Sequence, residues 1–377
     1  MIRTCILYRL SLPLKIPMRT AHGDVREKQA ILVQLVDCDG IEGWAECVAL
    51  PEPTYTEECT DTAWTVLVHH LVPRLARWVR SLGRDIDPQH VYESFRDVRG
   101  NAMSVAALEM ALWDWYAART NQPLAKLLGA ARDRVEVGAT IGIMDSDDAL
   151  IQSVDAAVEQ GFRRIKLKIA PGRDRDMIEA VRRRYPDLPM AVDANGSYAQ
   201  TDAPLLQALD AYHLQFIEQP FPDDDWFDLA ELQASLQTPL CLDESVRSAR
   251  EVKLAVRLGA GRVLNLKAGR LGGFGRLLRV LRASTLAGMS AWVGGMYETG
   301  VGRAHGLIAA ALPGMRYPTD LGPADRYFEE DVLREPISFA EPGTIRVPDW
   351  AGLSDHVDRD AVERFCTATW KASFADF

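Results

Sequence analysis

The chain has little cysteine, no long apolar run and no excess of basic charge. Its six cysteines (Cys5, Cys38, Cys47, Cys59, Cys241 and Cys366) are scattered over 377 residues without a Cys-x-x-Cys, which argues against a disulfide framework or a zinc knuckle. No apolar stretch approaches the ~20 residues of a membrane span. Met1 to Lys15 is broken by Arg3, Arg9 and Pro13 and lacks a signal-peptide core with a small-residue cleavage site, so a cytoplasmic protein is expected. A net charge of −10 and a pI near 5.3 leave no basic face for nucleic acid or an anionic membrane. No Gly-x-Gly-x-x-Gly follows the first strand of the α/β region described below, which disfavours a doubly wound dinucleotide sheet. No His-x-His occurs either, and His69-His70 falls on a predicted helix, so a histidine-based metal barrel is disfavoured.

What is present reads as two regions, because the length exceeds a single core of ~250–300 residues. The first third is mixed α+β. Ile31–Val36 and Gly43–Val48 are β-prone and joined by the turn signal Asp37-Cys38-Asp39-Gly40. Thr60–Trp78, Ala102–Thr120 and Pro123–Leu128 have helical spacing. From about Val135, short apolar runs alternate with amphipathic helices. The strand candidates are Thr140–Ile143, Arg164–Ile169, Met190–Asp193, Gln215–Glu218, Leu240–Asp243, Val263–Lys267 and Ala291–Gly294, with a weaker eighth near Arg316–Asp320. Ile143, Lys168, Asp193, Glu218 and Asp243 follow one another at 25-residue steps. Each step fits one strand, one helix and two loops, as in a (β/α) barrel of ~250 residues. The expected division is a capping unit over 1–130, a barrel over 131–325 and a segment over 326–377 that returns to the cap.

Lys168, Asp193, Glu218, Asp243 and Lys267 fall at the C-terminal ends of five successive strands, the end where barrels carry their chemistry. Three carboxylates from adjacent strands need a cation between them, and an all-oxygen set suits Mg²⁺ better than zinc. The bland reading is three separate carboxylates that cap helices or pair with arginines. Lys166 and Lys168 share a face by period-2 alternation, so each should lower the other's pKa and ready it for proton transfer. Lys267 lies four strands round the ring from Lys168, so the two would face each other across a ligand. That is a two-base geometry, in which one lysine removes a proton and the other returns one to the opposite face. The metal would stabilise the enediolate formed when a carbon beside a carboxylate loses its proton. Asn195 and Asn265 lie on the same inward face and either orient substrate or complete a polar layer. Arg270 either holds down the pKa of Lys267 or caps the loop Gly269-Arg270-Leu271-Gly272-Gly273, whose glycines suit turn geometry better than phosphate binding. Arg182-Arg183-Arg184 reads as a solvated helix face.

These residues resemble the enolase superfamily, muconate-lactonizing-type branch. The likeness is carried by Ile165-Lys166-Leu167-Lys168-Ile169, Val192-Asp193-Ala194-Asn195, Ile217-Glu218-Gln219-Pro220, Cys241-Leu242-Asp243-Glu244-Ser245 and Asn265-Leu266-Lys267. Gly294 to Gly300, Gly302-Arg303-Ala304 and Asp325-Arg326-Tyr327 resemble the o-succinylbenzoate synthase / N-succinylamino acid (N-acylamino acid) racemase group. Gly43 to Cys47 and Ala107 to Ala111 extend the likeness over nearly the whole chain. The resemblance implies a modified (β/α)₇β TIM-type barrel under an α+β capping domain. Mg²⁺ (or Mn²⁺ or another divalent cation) would sit on Asp193, Glu218 and Asp243, with Lys168 and Lys267 as the acid/base pair and Lys166 beside them. Cap loops near Met18–Gly23 and Leu50–Tyr55 would shape the pocket, with Tyr55 and Asn195, and with Gly295, Met296 and Tyr327 from the barrel side. Arg270, Asn265 and Glu244 would stand behind the ligands.

The implied activity is N-acylamino acid racemisation with o-succinylbenzoate synthase (dehydratase) activity on the same site, acting on a small carboxylate in a homo-oligomer. The alternatives are the synthase alone in menaquinone biosynthesis, or another reaction of the branch such as dipeptide epimerisation or cycloisomerisation. A silent barrel serving as a scaffold has no need of the two lysines and three carboxylates. Pro318-Thr319-Asp320 lacks the Asp-x-Asp associated with dipeptide epimerases, and Gly306 stands where relatives commonly have Asn.

Overall fold

Strand pairing in the first unit begins with a tight turn. Asp37 Oδ1 accepts the amide N–H groups of Asp39 and Ile41 at 2.8 and 2.9 Å, and Gly40 supplies φ +81°, so the chain reverses between two long apolar-alternating strands. In this computed structural model, which describes residues 1–20, 23–83 and 85–377, the strands are β1 (Ile2–Thr20), β2 (Gly23–Asp37), β3 (Glu42–Cys47), β4 (Arg134–Glu136), β5 (Ala139–Ile141), β6 (Ile165–Lys168), β7 (Met190–Asp193), β8 (Ile217–Glu218), β9 (Leu240–Leu242), β10 (Val263–Asn265), β11 (Ser290–Trp292), β12 (Thr344–Arg346) and β13 (Cys366–Ser373). One antiparallel sheet has the order β13-β1-β2-β3, so the end of the chain adds the outer strand to its beginning. The helix Ala102–Thr120 lies against it and is buried on nearly every side. At Gly43 a Cβ would lie 2.3 Å from the Ala111 carbonyl oxygen, so only glycine lets β3 approach this helix so closely.

The second unit is a parallel ring in the order β11-β10-β9-β8-β7-β6-β5. All seven predicted strands are present; apart from Met190–Asp193, each is one or two residues shorter at one or both ends, and β5 and β11 begin one residue earlier than predicted. The eighth differs: 316–320 forms no strand. The Arg316 and Asp320 amides donate to Ala291 and Val293, and the Thr319 and Gly138 amides exchange bonds with Glu136 and Thr319 carbonyls, closing the ring by single bridges. Pro318 removes one amide donor from this segment, which is why a regular ladder does not form. The predicted helix Thr60–Trp78 contains a wider turn at Leu67–Leu71 and continues to Leu82, with Pro73 tolerated in the first turn of the renewed helix. Arg182, read as solvated, is half-buried and closes its helix by donating to the Tyr212, Pro186 and Leu188 carbonyls. Among the described residues, no helix is long and apolar enough to cross a membrane.

Candidate active site

The C-terminal ends of the ring strands and the cap enclose a cavity of about 370 Å³. Lys168 and Asp193 are the last residues of β6 and β7, Glu218 the last of β8, and Asp243 the first after β9. Lys267 follows β10 by two residues. Just beyond β7 and β8, and in the loop after β11, the backbone turns sharply: Asn195, Gln219 and Tyr297 have φ of +45°, +35° and +57°. Non-glycine residues held in this region mark places where the fold imposes a costly geometry.

Lys168 Nζ donates to Asp193 Oδ2 at 2.7 Å and to Asn195. Across the ring, Lys267 Nζ donates to Asp243 Oδ2 at 2.7 Å and to the Tyr55 hydroxyl at 2.8 Å. Both lysines line the cavity. Lys166 lies deeper and is shared among Asp320, Glu218 and Asp193 at 2.8, 2.9 and 3.0 Å. Glu218 and Asp243 sit beneath the cavity wall. Asn265 bridges Glu218 Oε1 at 2.6 Å and the Gly294 amide at 2.8 Å. Arg270 reaches Asp243 Oδ1 at 3.1 Å and the Asn265 and Val246 carbonyls. Glu244 accepts from Asn195 at 3.0 Å, and its second oxygen is buried without a partner.

Burial pulls the Lys166 ammonium down, but the Asp193, Asp320 and Glu218 carboxylates outweigh it and hold its pKa well above the ordinary lysine value. This corrects the expectation of a lowered Lys166: carboxylates, not a second ammonium, surround it. Lys267 follows the same pattern. Burial and Arg270 lower it, while Asp243, Glu218 and Glu244 raise it above the ordinary value. Burial, and then the Asp193 charge, push Glu218 up to about 7. Burial and Asp243 push Glu244 up to about 8.

Asn195, Tyr55, Gly295, Met296 and Tyr327 all reach the cavity wall. Tyr55 does more than line it. Its hydroxyl lies 3.0 and 3.1 Å from the two Asp243 oxygens and its ring 4.7 Å from Lys267 Nζ. Of the predicted cap loops, Leu50–Tyr55 contributes directly. Within Met18–Gly23, Ala21 and His22 lie outside the described residues, and the wall is built by Asp24–Glu27 of β2. At Gly306 a Cβ would meet Leu321 at 2.5 Å, so leucine fills that space.

Sequence reasoning gave no role to Asp320 or Arg164. Arg164 donates to Asp320 Oδ1 at 2.7 Å and lies 4.2 Å over the Trp292 ring, under the lysines. The signal was available: Arg164, Lys166 and Lys168 share one face, and Asp320 ends the eighth segment. The floor thus holds five carboxylates (Asp193, Glu218, Asp243, Glu244 and Asp320) against three ammonium and two guanidinium groups, a formal balance. Among the described residues, no three His, Cys, Asp or Glu side chains form a ready metal cage. The ammonium groups of Lys166, Lys168 and Lys267 instead stand on the Asp193, Glu218 and Asp243 carboxylates.

Two family models match. The N-terminal domain of mandelate racemase / muconate lactonizing enzyme covers residues 2–129, and the enolase C-terminal domain-like model covers 149–361. An o-succinylbenzoate synthase from Geobacillus kaustophilus is 43% identical over 96% of this chain and 94% of its own. An N-succinylamino acid racemase from Thermus thermophilus is 42% identical over 94% of each. A solved structure described as a probable mandelate racemase, from Alicyclobacillus acidocaldarius, is 74% identical, covers 99% of this chain and 100% of its own, and superposes with a TM-score of 0.93.

Proposed function

The chain belongs to the mandelate racemase / muconate lactonizing enzyme group of the enolase superfamily, and from that premise we propose that it racemises N-acylamino acids, N-succinyl ones above all, and dehydrates to o-succinylbenzoate on the same site. The observation that carries this reading is the pair Lys168 and Lys267. They reach one cavity from the second and sixth strands of the ring, Lys168 on the carboxylate that ends the following strand and Lys267 on the one just after the preceding strand. Both relatives named above, a synthase and a racemase, match nearly the full chain at over 40% identity.

The donor set fits a hard divalent cation, Mg²⁺ (or Mn²⁺ or another of that kind), on Asp193, Glu218 and Asp243. The support lies in the carboxylates: Glu218 and Glu244 are pushed up toward neutrality and one Glu244 oxygen has no partner, so the lysines leave this cluster incompletely satisfied. When bound, the cation would supply charge stabilisation to a substrate carboxylate whose α-carbon is losing its proton. The lysines would leave the carboxylates and turn to the cavity, one on each side of the α-carbon. In racemisation one takes the α-proton and the other delivers a proton to the opposite face. In the dehydration Lys168 takes the proton and gives it to the departing hydroxyl, which leaves as water as the C–O bond breaks, while Lys267 holds charge. Tyr55 keeps Lys267 oriented, and Lys166 stays tied to Asp320. A dication would add two positive charges to the floor, which suits a substrate with two carboxylates, as an N-succinylamino acid has. The same reading takes residues 1–130 as the cap, 131–325 as the barrel and 326–377 as the returning segment of a cytoplasmic homo-oligomer.

Protein with Mg²⁺ and an N-succinylamino acid in D₂O should exchange the α-proton of both enantiomers. Lys168→Ala and Lys267→Ala should each lose exchange from a different enantiomer, by about 100-fold or more. Absence of exchange in the unaltered protein would overturn the racemase reading. Dehydration without exchange would leave the synthase-only reading, the alternative that several relatives' names favour.

A further inference from the structure

The segment after Lys267 runs Ala268-Gly269-Arg270-Leu271-Gly272-Gly273-Phe274-Gly275, with four glycines in eight residues. Turn geometry accounts for only two of them: Gly272 and Gly273 have φ of +96° and +107°. At Gly269 and Gly273 a cap side chain occupies the space a Cβ would need, and at Gly272 (where Arg276 is equally near) and Gly275 one crowds it. A Cβ at Gly269 would lie 2.5 Å from Val48, at Gly272 3.1 Å from the Tyr92 hydroxyl, at Gly273 2.3 Å from the Glu109 carboxylate, and at Gly275 3.2 Å from the same carboxylate. The glycines are a footprint of the cap.

Glu109 is the centre of that footprint. It lies in the middle of the buried cap helix Ala102–Thr120 and is itself 0% exposed. Its Oε2 accepts the Phe274 amide at 2.9 Å and its Oε1 the Gly275 amide at 2.8 Å, the first amides of the 13-residue helix Phe274–Leu286. Trp113 Nε1 donates to Oε1 at 3.1 Å and fixes the carboxylate from the cap side. The Tyr92 hydroxyl donates to the Gly272 carbonyl. Between this clamp and Lys267 there is no slack. The Leu271 amide donates to Lys267, and the Gly272 and Gly273 amides donate to Ala268. Ordered backbone bonds therefore run without a break from Glu109 to the residue bearing the reacting ammonium.

We propose that Glu109 is a positioning residue for Lys267: from the cap it fixes the start of helix Phe274–Leu286, and through the glycine loop it sets where the Lys267 ammonium stands against the substrate's α-carbon. Lys168 is on the far side of the ring, on a strand Glu109 does not touch. A displacement of about 1 Å at a reacting group costs on the order of 100-fold in rate, so the loss should fall on one lysine.

The test rests on the racemase reading and separates from it. α-Proton exchange in D₂O is followed for each enantiomer of an N-succinylamino acid, with Mg²⁺, in the unaltered protein, Lys267→Ala, Glu109→Gln, Glu109→Ala and Gly273→Ala. The Glu109 and Gly273 variants should slow exchange by about 10- to 100-fold only from the enantiomer that Lys267→Ala silences, with KM for the other unchanged. Glu109→Gln, which keeps one acceptor oxygen, should lose less than Glu109→Ala. Equal slowing of both enantiomers would mean a merely structural role and would overturn the proposal. If the unaltered protein exchanges neither enantiomer, the racemase reading fails, and crystal structures of the same variants decide the positioning. Lys267 Nζ displaced from Tyr55 and Asp243 supports it, and Lys267 Nζ unmoved overturns it.

Discussion

Glu109 and Glu46 are carboxyls deep in the cap that do not touch the cavity lysines, yet both cross to the barrel. Glu46 accepts from Thr299 and Gly302 at the start of helix Gly300–Ala310 and lies 3.4 Å from Lys28. Burial pushes both glutamates up to about 7, above the ordinary 4.5. The folded state therefore keeps protons there that the unfolded chain has already released. The stability each contributes is fully present below about pH 4.5 and is lost as pH rises through about 7. Glu109→Gln cannot ionise. Its stability relative to the unaltered protein should therefore improve between about pH 4.5 and pH 7, by at most about 1.4 kcal/mol per pH unit, and level off above. Denaturant melts across that range check the slope, and parallel curves would refute it. The five strand-end charges were legible as residues, because a step of 24 or 25 residues repeats through them. Their present pairing was not. Period-2 alternation puts Arg164 and Lys166 on one face, but does not say that Asp320 comes from another element to bridge them.

At the level of elements, the parallel strands were legible because each is a short apolar run between helices of clear periodicity. The long strand β1 was not. Its Arg3, Arg9, Pro13 and Lys15 interrupt the alternation, and what makes it a strand is pairing with β2 on one side and with β13, more than 350 residues away, on the other. The eighth barrel position was legible as a place and not as a strand, since Pro318 leaves only isolated bridges to close the ring. The tail's return makes a separate prediction. Ending the chain after Phe365 removes β13 and bares the edge of β1 from Thr4 to Leu10. Open edges pair with other chains, so the shortened protein should form aggregates that grow with concentration in light scattering. A monodisperse product that melts with the full chain would refute this.

For the whole molecule, the −10 net charge argues against nucleic-acid or anionic-membrane partners, whereas the formally balanced floor says what a cation would change. If Mg²⁺ binds the folded chain alone, raising it from zero to about 100 times its Kd should stabilise the protein by ~2.7 kcal/mol. A chelator should reverse the gain, and Asp193→Asn or Asp243→Asn should abolish it. Thermal melts read this without any substrate, and melts insensitive to Mg²⁺ would refute the cation site. The glycines under the cap have a consequence of a different kind. Because Val48, Tyr92 and Glu109 fit spaces that any side chain would fill, cap and barrel must change together along this seam. The Leu50–Tyr55 rim lines the cavity and supplies none of the side chains that fill the glycine spaces. New substrates can therefore be acquired through the rim while the two bodies stay matched, and a cap borrowed whole from a distant relative would be rejected by a barrel lacking the same glycines.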